Sequence, residues 1–82
     1  MHDNLNMNVF ELLDLIGKVG IAKESGADEV EFLNSLSDSE IIILINEFKK
    51  FEPEEIRDYI KALFKNNSIL IMKRVSSMNI PN

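Results

Sequence analysis

The chain of 82 residues contains no cysteine and no tryptophan, and it has only one histidine, two prolines and three glycines. The lack of cysteine excludes disulfide bonds and thiolate metal sites, and it fits a reducing compartment. The single histidine, His2, stands close to the start of the chain, where we expect no fixed position for a base or a metal ligand. We therefore expect no catalytic residue, no metal and no cofactor, and hence no enzyme.

Long hydrophobic segments are missing as well. The longest unbroken apolar run has five residues, Ile41–Ile45, whereas a membrane-spanning helix needs about 20. The first residues also lack the basic start and the apolar stretch of a signal peptide. We expect a single cytoplasmic domain over residues 1–82, with loose tails at 1–7 and 77–82.

Acidic residues outnumber basic ones, and the net charge is −5. This balance disfavours nucleic-acid binding, because phosphate contacts need clustered lysine and arginine. The charge is uneven: residues 1–48 carry ten acids and two bases, and residues 49–82 carry four acids and seven bases. A solvated surface accounts for this pattern, and head-to-tail self-association or a basic partner for the acidic half are alternatives. A weak DNA-binding regulator is a further alternative, although acids at 52–58 interrupt the bases.

Apolar residues recur at helical spacing through most of the chain, which predicts an all-α bundle of four or five short helices. We expect helices from Asn8 to about Ser25, at about 28–36, from Ser37 to about Phe51, from Pro53 to a turn at 66–68, and at about 69–76. Gly17 and Gly20 weaken the end of the first helix. Ser37 and Glu40 have the spacing of a capping box, which starts the third helix. The turn is predicted because an unbroken helix would place Asn67 and Arg74 on the core face.

The run Ile41–Ile45 wraps around the third helix, because an α-helix turns about 100° per residue. Three of its members continue the apolar stripe of that helix, namely Ile41, Leu44 and Ile45. The other two lie on the side that becomes polar one turn later, so that either a neighbouring helix covers them or they form an exposed interface. We predict a partner-binding surface made of Ile42, Ile43, Glu47 and Lys50. A second run, Ile69–Met72, raises the same question more weakly, and a core position is favoured there.

Asp38-Ser39 lies in mid-chain at the start of a helix. In position and charge it resembles the phosphopantetheine site of acyl carrier proteins, which are small, acidic and helical. That family follows its serine with an apolar residue, whereas Glu40 follows here. An ordinary helix cap is the favoured interpretation, and a carrier modified on Ser39 is the alternative.

Two stretches of the chain, Asn8–Leu13 and Glu47–Phe51 continued through Lys61–Phe64, carry a resemblance to a known family. Together with the length, the acidity and a bias towards isoleucine and asparagine, they resemble the RIII lysis-inhibition proteins of T-even phages. The resemblance implies a cytoplasmic antiholin that binds the cytosolic end of the phage holin and delays lysis. It assigns no role to any residue. The expected function is that of a small non-enzymatic regulator that binds another protein or a second copy of itself.

Overall fold

The computed structural model describes residues 9–78, and over this range the chain forms five α-helices and no β-strand. The helices are α1 (Val9–Ser25), α2 (Glu29–Ser35), α3 (Asp38–Glu47), α4 (Glu54–Asn66) and α5 (Ser68–Ser77). The all-α prediction is confirmed. The expected cap at Asn8, the expected tail at 1–7 and residues 79–82 of the expected tail at 77–82 lie outside the described residues. Ser77, the first residue of that second tail, is the last residue of α5.

Helix α1 continues through Gly17 and Gly20 and ends at Ser25. Gly26 follows with a φ of 67°, a left-handed conformation that glycine adopts without steric cost. The Ala27 N–H then donates to the Ala22 carbonyl at 3.0 Å. This is the Schellman arrangement, which satisfies carbonyls at the end of the helix and turns the chain towards α2.

Side-chain caps start both α2 and α3. The Asp28 carboxylate accepts the Glu31 N–H at 3.0 Å. The Ser37 hydroxyl accepts the Glu40 N–H at 3.1 Å, and the Glu40 carboxylate accepts the Ser37 N–H at 2.9 Å. The capping box predicted from the sequence is therefore present. It uses backbone donors that the first turn of a helix would otherwise leave unpaired.

The end of α3 differs from the expectation that the helix reaches Phe51. The α-helix stops at Glu47, and a 3₁₀ turn follows at Phe48–Lys50. Phe51 is extended, with φ −79° and ψ 134°, and its side chain is completely buried. The chain must leave the helical conformation before Pro53, because a residue that precedes proline avoids it. Pro53 itself occupies the N-cap position of α4, one residue before the first turn.

The core is built from every helix, with α4 contacting α1, α5 and the 3₁₀ turn. Its members share near-complete burial and an apolar side chain: Leu15, Val19, Leu33, Leu36, Ile41, Leu44, Phe51, Ile56, Ile60, Leu63 and Ile71. Three of them, Ile56, Ile60 and Leu63, recur at helical spacing on α4, and two, Ile41 and Leu44, belong to the stripe predicted for α3. The apolar periodicity therefore identified the inward faces of these helices.

Arg74 of α5 joins three parts of the fold. Its Nη1 donates to the Leu33 carbonyl at 3.0 Å, and its Nη2 donates to the Leu36 carbonyl at 2.6 Å. Its Nε donates to Asp38 Oδ1 at 3.0 Å. One guanidinium thus caps the carboxyl end of α2 and pairs with the first residue of α3. The planar, five-donor geometry of arginine allows this, and the single ammonium group of lysine does not reproduce it.

Asn67 connects α4 to α5 and confirms the predicted turn. Its side-chain amide donates to the Leu63 carbonyl and to Glu29 Oε1, both at 2.9 Å. The first bond satisfies the end of α4, and the second joins this turn to the beginning of α2. Asn67 and Arg74 are therefore both half-buried, and both hold α5 against α2.

Candidate functional site

An apolar groove lies where α3, the 3₁₀ turn, α4 and α5 meet, and it has a volume of about 490 Å³. It is lined by Ile45, Phe48, Phe64, Ser68, Ile71, Met72, Val75 and Ser76. Six of these eight residues are apolar, and no charged residue lines the groove. This composition is typical of a surface that receives an apolar side chain or a helix, since ligand sites are concave and mostly apolar.

The groove exists because α5 buries only part of its apolar surface. Ile71 is buried and packs into the core, whereas Met72 is 66% exposed. Phe64 and Val75 are half-buried and pack against the core from the edge. Their outer surfaces line the groove, and within residues 9–78 no further helix lies over them.

The exposed face of α5 extends this apolar surface beyond the groove. Ile69 is 69% exposed, and it lines a second, shallower depression together with Lys73. Met72 and Ser76 line both depressions, so that the two form one continuous surface. Methionine suits a variable binding surface because its unbranched side chain adapts to different partners. We call the groove and this face of α5 together the α5 groove.

The charge around the α5 groove is positive. Residues 59–78, which form most of α4 and all of α5, contain four bases and no acid. Arg74 pairs with Asp38 and donates to the Leu36 carbonyl at the end of α2. Lys73 lies on the exposed face of α5, and Lys65 belongs to the last turn of α4. Lys73 therefore places a positive charge beside the apolar floor, which favours an acidic partner electrostatically.

The structure places the predicted partner surface on α3 and the following 3₁₀ turn. Ile42 and Ile43 are both half-buried. Ile43 packs against the core and borders a cleft between α1 and α3. The role of the two isoleucines in binding a partner stays a prediction.

The two charged members of that predicted surface pair with each other. Lys50 Nζ lies 2.9 Å from Glu47 Oε1, and the Lys50 side chain is 64% exposed. A pair of this kind on the surface contributes at most about 1 kcal/mol. Their role as a border for a partner stays a prediction.

The cleft between α1 and α3 is polar and mostly acidic. It has a volume of about 340 Å³ and is lined by Glu11, Asp14, Lys18, Ser37, Ser39, Glu40 and Ile43. Lys18 Nζ lies 2.5 Å from Glu40 Oε2 and joins the two helices. Burial acts to raise the pKa of Glu40, but the hydrogen bonds from Lys18 and from the Ser37 amide outweigh it and lower that pKa. The hydrogen bond to Glu40 also raises the pKa of Lys18.

Ser39 borders this cleft on the second residue of α3, and its side chain is exposed. The next residue, Glu40, is held by the Ser37 amide and by Lys18. Where the acyl carrier pattern places an apolar residue after the serine, this chain therefore places a carboxylate with a structural role. The carrier interpretation receives no support from this geometry.

A second exposed apolar cluster lies at the start of α1. Val9 is 65%, Phe10 79% and Leu13 57% exposed. Leu13 follows Val9 by four residues and Phe10 by three, which places all three on neighbouring positions of one helical face. Glu11 and Asp14 stand among them in the sequence. We call Val9, Phe10 and Leu13 the α1 patch.

The described part of the chain contains few side chains suited to metal binding or to acid–base catalysis. Residues 9–78 contain no group of three or more histidine, cysteine or acidic side chains that could hold a metal. The Tyr59 hydroxyl is buried without a hydrogen-bond partner among these residues. Burial, with the nearby charge of Glu29, raises the pKa of Tyr59. That phenol therefore stays protonated at neutral pH and is unsuited to act as a base.

Comparisons with protein-family models, with curated proteins and with solved structures find no match to this chain. None of the helices in the described range is long and apolar enough to cross a membrane. The likeness to the lysis-inhibition family therefore stays a prediction from the sequence.

The α5 groove is the surface that the sequence interpretation missed. The run Ile69–Met72 could have indicated an exposed apolar surface on this helix, because four consecutive apolar residues also wrap around a helix. The fold divides them: Ile71 is buried and Leu70 half-buried, whereas Ile69 and Met72 are exposed. The periodicity could not show which of the four lacks a neighbour.

Proposed function

We propose that this protein is a non-enzymatic regulator that binds an amphipathic helix of a protein partner in the α5 groove. The observation that carries the proposal is the continuous apolar surface formed by the groove and the exposed face of α5, which includes Ile69 and Met72. Contiguous exposed apolar surface of this kind marks interaction sites in soluble proteins. Grooves between helices commonly receive the apolar stripe of another helix.

The partner helix should carry acidic residues beside its apolar stripe. Lys73 lines the exposed face of α5 beside Met72, and residues 59–78 contain no acid to oppose such a partner. Complementary charge mainly sets the orientation and the rate of association, and apolar burial supplies most of the affinity. The mechanism is stoichiometric: the regulator occupies the partner helix and withholds it from other contacts.

The resemblance noted in the sequence suggests a specific form of this proposal. For a lysis-inhibition protein, the partner would be the cytosolic part of the phage holin, and binding would delay lysis.

The test compares binding by the wild-type protein with binding by Met72→Glu. Tagged protein is used for affinity purification from host or infected cells, captured proteins are identified by mass spectrometry, and the purified partner is titrated by calorimetry. Met72→Glu should weaken binding at least about tenfold, because it removes apolar contact and places a carboxylate against the partner. Ile21→Glu is the matched control, since Ile21 is equally exposed, at 71%, and lies on α1 outside both apolar surfaces.

Each result has a clear meaning. Loss of binding with Met72→Glu and retention with Ile21→Glu support the proposal. A partner that binds the wild-type protein and Met72→Glu equally tightly would show that the groove is not the binding site.

A further inference from the structure

Met72 is the more exposed of the two methionines that the structure describes. The chain contains no cysteine and four methionines, of which Met72 and Met78 belong to residues 9–78. Met72 is 66% exposed, whereas Met78 is half-buried and packs against the core. Peroxides oxidise the thioether of methionine to a sulfoxide, and they reach an exposed sulfur atom first. We therefore expect Met72 to react before Met78.

Met72 also stands at the junction of the two depressions that form the α5 groove. It lines the main groove together with Ile71, and it lines the second depression together with Ile69. Met72 and Ser76 are the residues that the two depressions share. A change in the polarity of the Met72 side chain therefore alters both parts of the surface at once.

Oxidation changes the polarity of Met72 more than its size. Hydrogen peroxide transfers one oxygen atom to the Met72 sulfur: the O–O bond breaks, an S–O bond forms and one water molecule leaves, so that sulfur loses two electrons and peroxide gains them. The product is polar and accepts hydrogen bonds. Such an acceptor is costly to bury against an apolar surface unless a donor meets it. A sulfoxide at this position therefore opposes the burial that binding of an apolar helix requires.

We propose that Met72 makes the α5 groove a redox-sensitive switch, which binds its partner helix while Met72 is a thioether and releases it when a peroxide converts Met72 to the sulfoxide. The inference rests on the proposed function, because it concerns the regulation of the same groove. The step is reversible, since methionine sulfoxide reductases use two thiols to reduce the sulfoxide, the thiols form a disulfide and the oxygen leaves as water.

The fold should tolerate this modification. The buried apolar contact of this turn of α5 comes from Ile71, whereas the neighbouring Met72 is mostly exposed. Oxidation of a buried methionine disrupts packing, but oxidation of Met72 changes a surface. Loss of partner binding with an intact fold is therefore the expected signature of the switch.

The test compares the full-length wild-type protein with Met72→Leu, Met72→Gln and Met78→Leu. Leucine has no sulfur and a volume similar to that of methionine, and glutamine places a neutral polar group of similar length at the same position. Met78→Leu is the matched control, because it removes the other described methionine. Each protein is treated with hydrogen peroxide, freed of it with catalase, and titrated by calorimetry with the partner that the wild-type protein captures. Peptide mass spectrometry locates the added oxygen atoms, and circular dichroism measures the helix content.

The measured quantity is the change in the dissociation constant of the partner that peroxide treatment causes in each protein. For the wild type and Met78→Leu the constant should rise about tenfold or more, because an unpaired polar group is costly to bury, and sulfoxide reductases with dithiothreitol should reverse the rise. For Met72→Leu the constant should not change on treatment, whatever its value before. Untreated Met72→Gln should bind as weakly as the oxidised wild-type protein.

Three results would overturn the inference. These are oxidation of Met78 before Met72, an oxidised wild-type protein that binds the partner as tightly as the untreated one, and a Met72→Leu protein that loses affinity on treatment as the wild type does. The titrations also separate this inference from the proposed function. If peroxide has no effect while Met72→Glu abolishes binding, only the switch is wrong. If Met72→Glu and Met72→Gln both bind the partner as tightly as the wild type, the groove is not the binding site, and the proposed function and the switch are both wrong.

Discussion

Replacing Arg74 by methionine removes the three donors that hold the end of α2 and the start of α3 to α5. The Leu36 carbonyl loses a donor at 2.6 Å, and the Leu33 carbonyl loses one at 3.0 Å. The Leu33 carbonyl keeps the hydrogen bond from the Leu36 N–H at 3.2 Å. The loss of a hydrogen bond is therefore most costly at the Leu36 carbonyl. Methionine has a similar length and no donor, so the substitution removes the hydrogen bonds with little change in packing volume.

The expected loss of unfolding free energy is about 2–3 kcal/mol. A part-buried acceptor that loses its donor costs about 1–3 kcal/mol, and the surface pair with Asp38 adds at most about 1 kcal/mol. A chain of this size has a total stability of about 4–12 kcal/mol. The loss is thus a large fraction of the total, and it should lower the melting temperature by about 10–20 °C.

Urea denaturation followed by circular dichroism measures this loss, with Lys73→Met as the matched control. Lys73 is the preceding residue of α5 and is exposed, so its replacement should change the stability by no more than about 0.5 kcal/mol. Arg74→Lys should fall between wild type and Arg74→Met, because an ammonium group cannot reach all three acceptors at once. A loss below about 1 kcal/mol for Arg74→Met, or wild-type stability for Arg74→Lys, would refute the reasoning.

Four further substitutions are informative. Gly17→Ala should stabilise the protein by about 0.5–1 kcal/mol in thermal unfolding, because a Cβ at Gly17 meets no atom within 4 Å and alanine favours the helix. Destabilisation would mean that α1 is not continuous at this position. Glu40→Gln should lower the stability at pH 7, because the pKa of Glu40 is lowered in the fold and its ionised carboxylate therefore stabilises the folded state. In a denaturation series the difference from wild type should shrink as the pH falls below 4.5, the ordinary pKa of the group. A difference that is independent of pH would contradict this. Ile43→Lys should lower the unfolding free energy measured in urea by about 1–2 kcal/mol, because Ile43 packs against the core. Ile42→Lys should lower it by less than about 1 kcal/mol. Equal losses would show that the two residues are equally covered.

The sequence predicted those parts of the fold that depend on neighbouring residues. The capping box of Ser37 and Glu40 joins groups three residues apart, and the turn at Asn67 follows from a break in one apolar stripe. Both are present. The end of α3 was less accurate, because Phe51 has the spacing of the α3 stripe but is buried in an extended conformation.

The candidate site was harder to predict than the fold. Helical periodicity predicted that Ile42 and Ile43 lie outside the main stripe of α3, and both are half-buried. It could not show that α1 borders Ile43, or that α5 leaves Met72 uncovered. A groove lined by three helices and a 3₁₀ turn depends on how these elements pack, and apolar spacing along one helix carries no information about that.

The Arg74 contacts also bear on the order in which the chain acquires structure during synthesis. The carboxyl end of α2 is capped by the Arg74 guanidinium, which donates to the Leu36 carbonyl. Arg74 is added to the growing chain 38 residues after Leu36. A nascent chain that ends before α5 therefore exposes an uncapped α2, and it lacks one wall of the groove. Domains commonly fold as units during translation, and in this protein the unit is complete only after α5 has left the ribosome. The groove and the native fold thus form together.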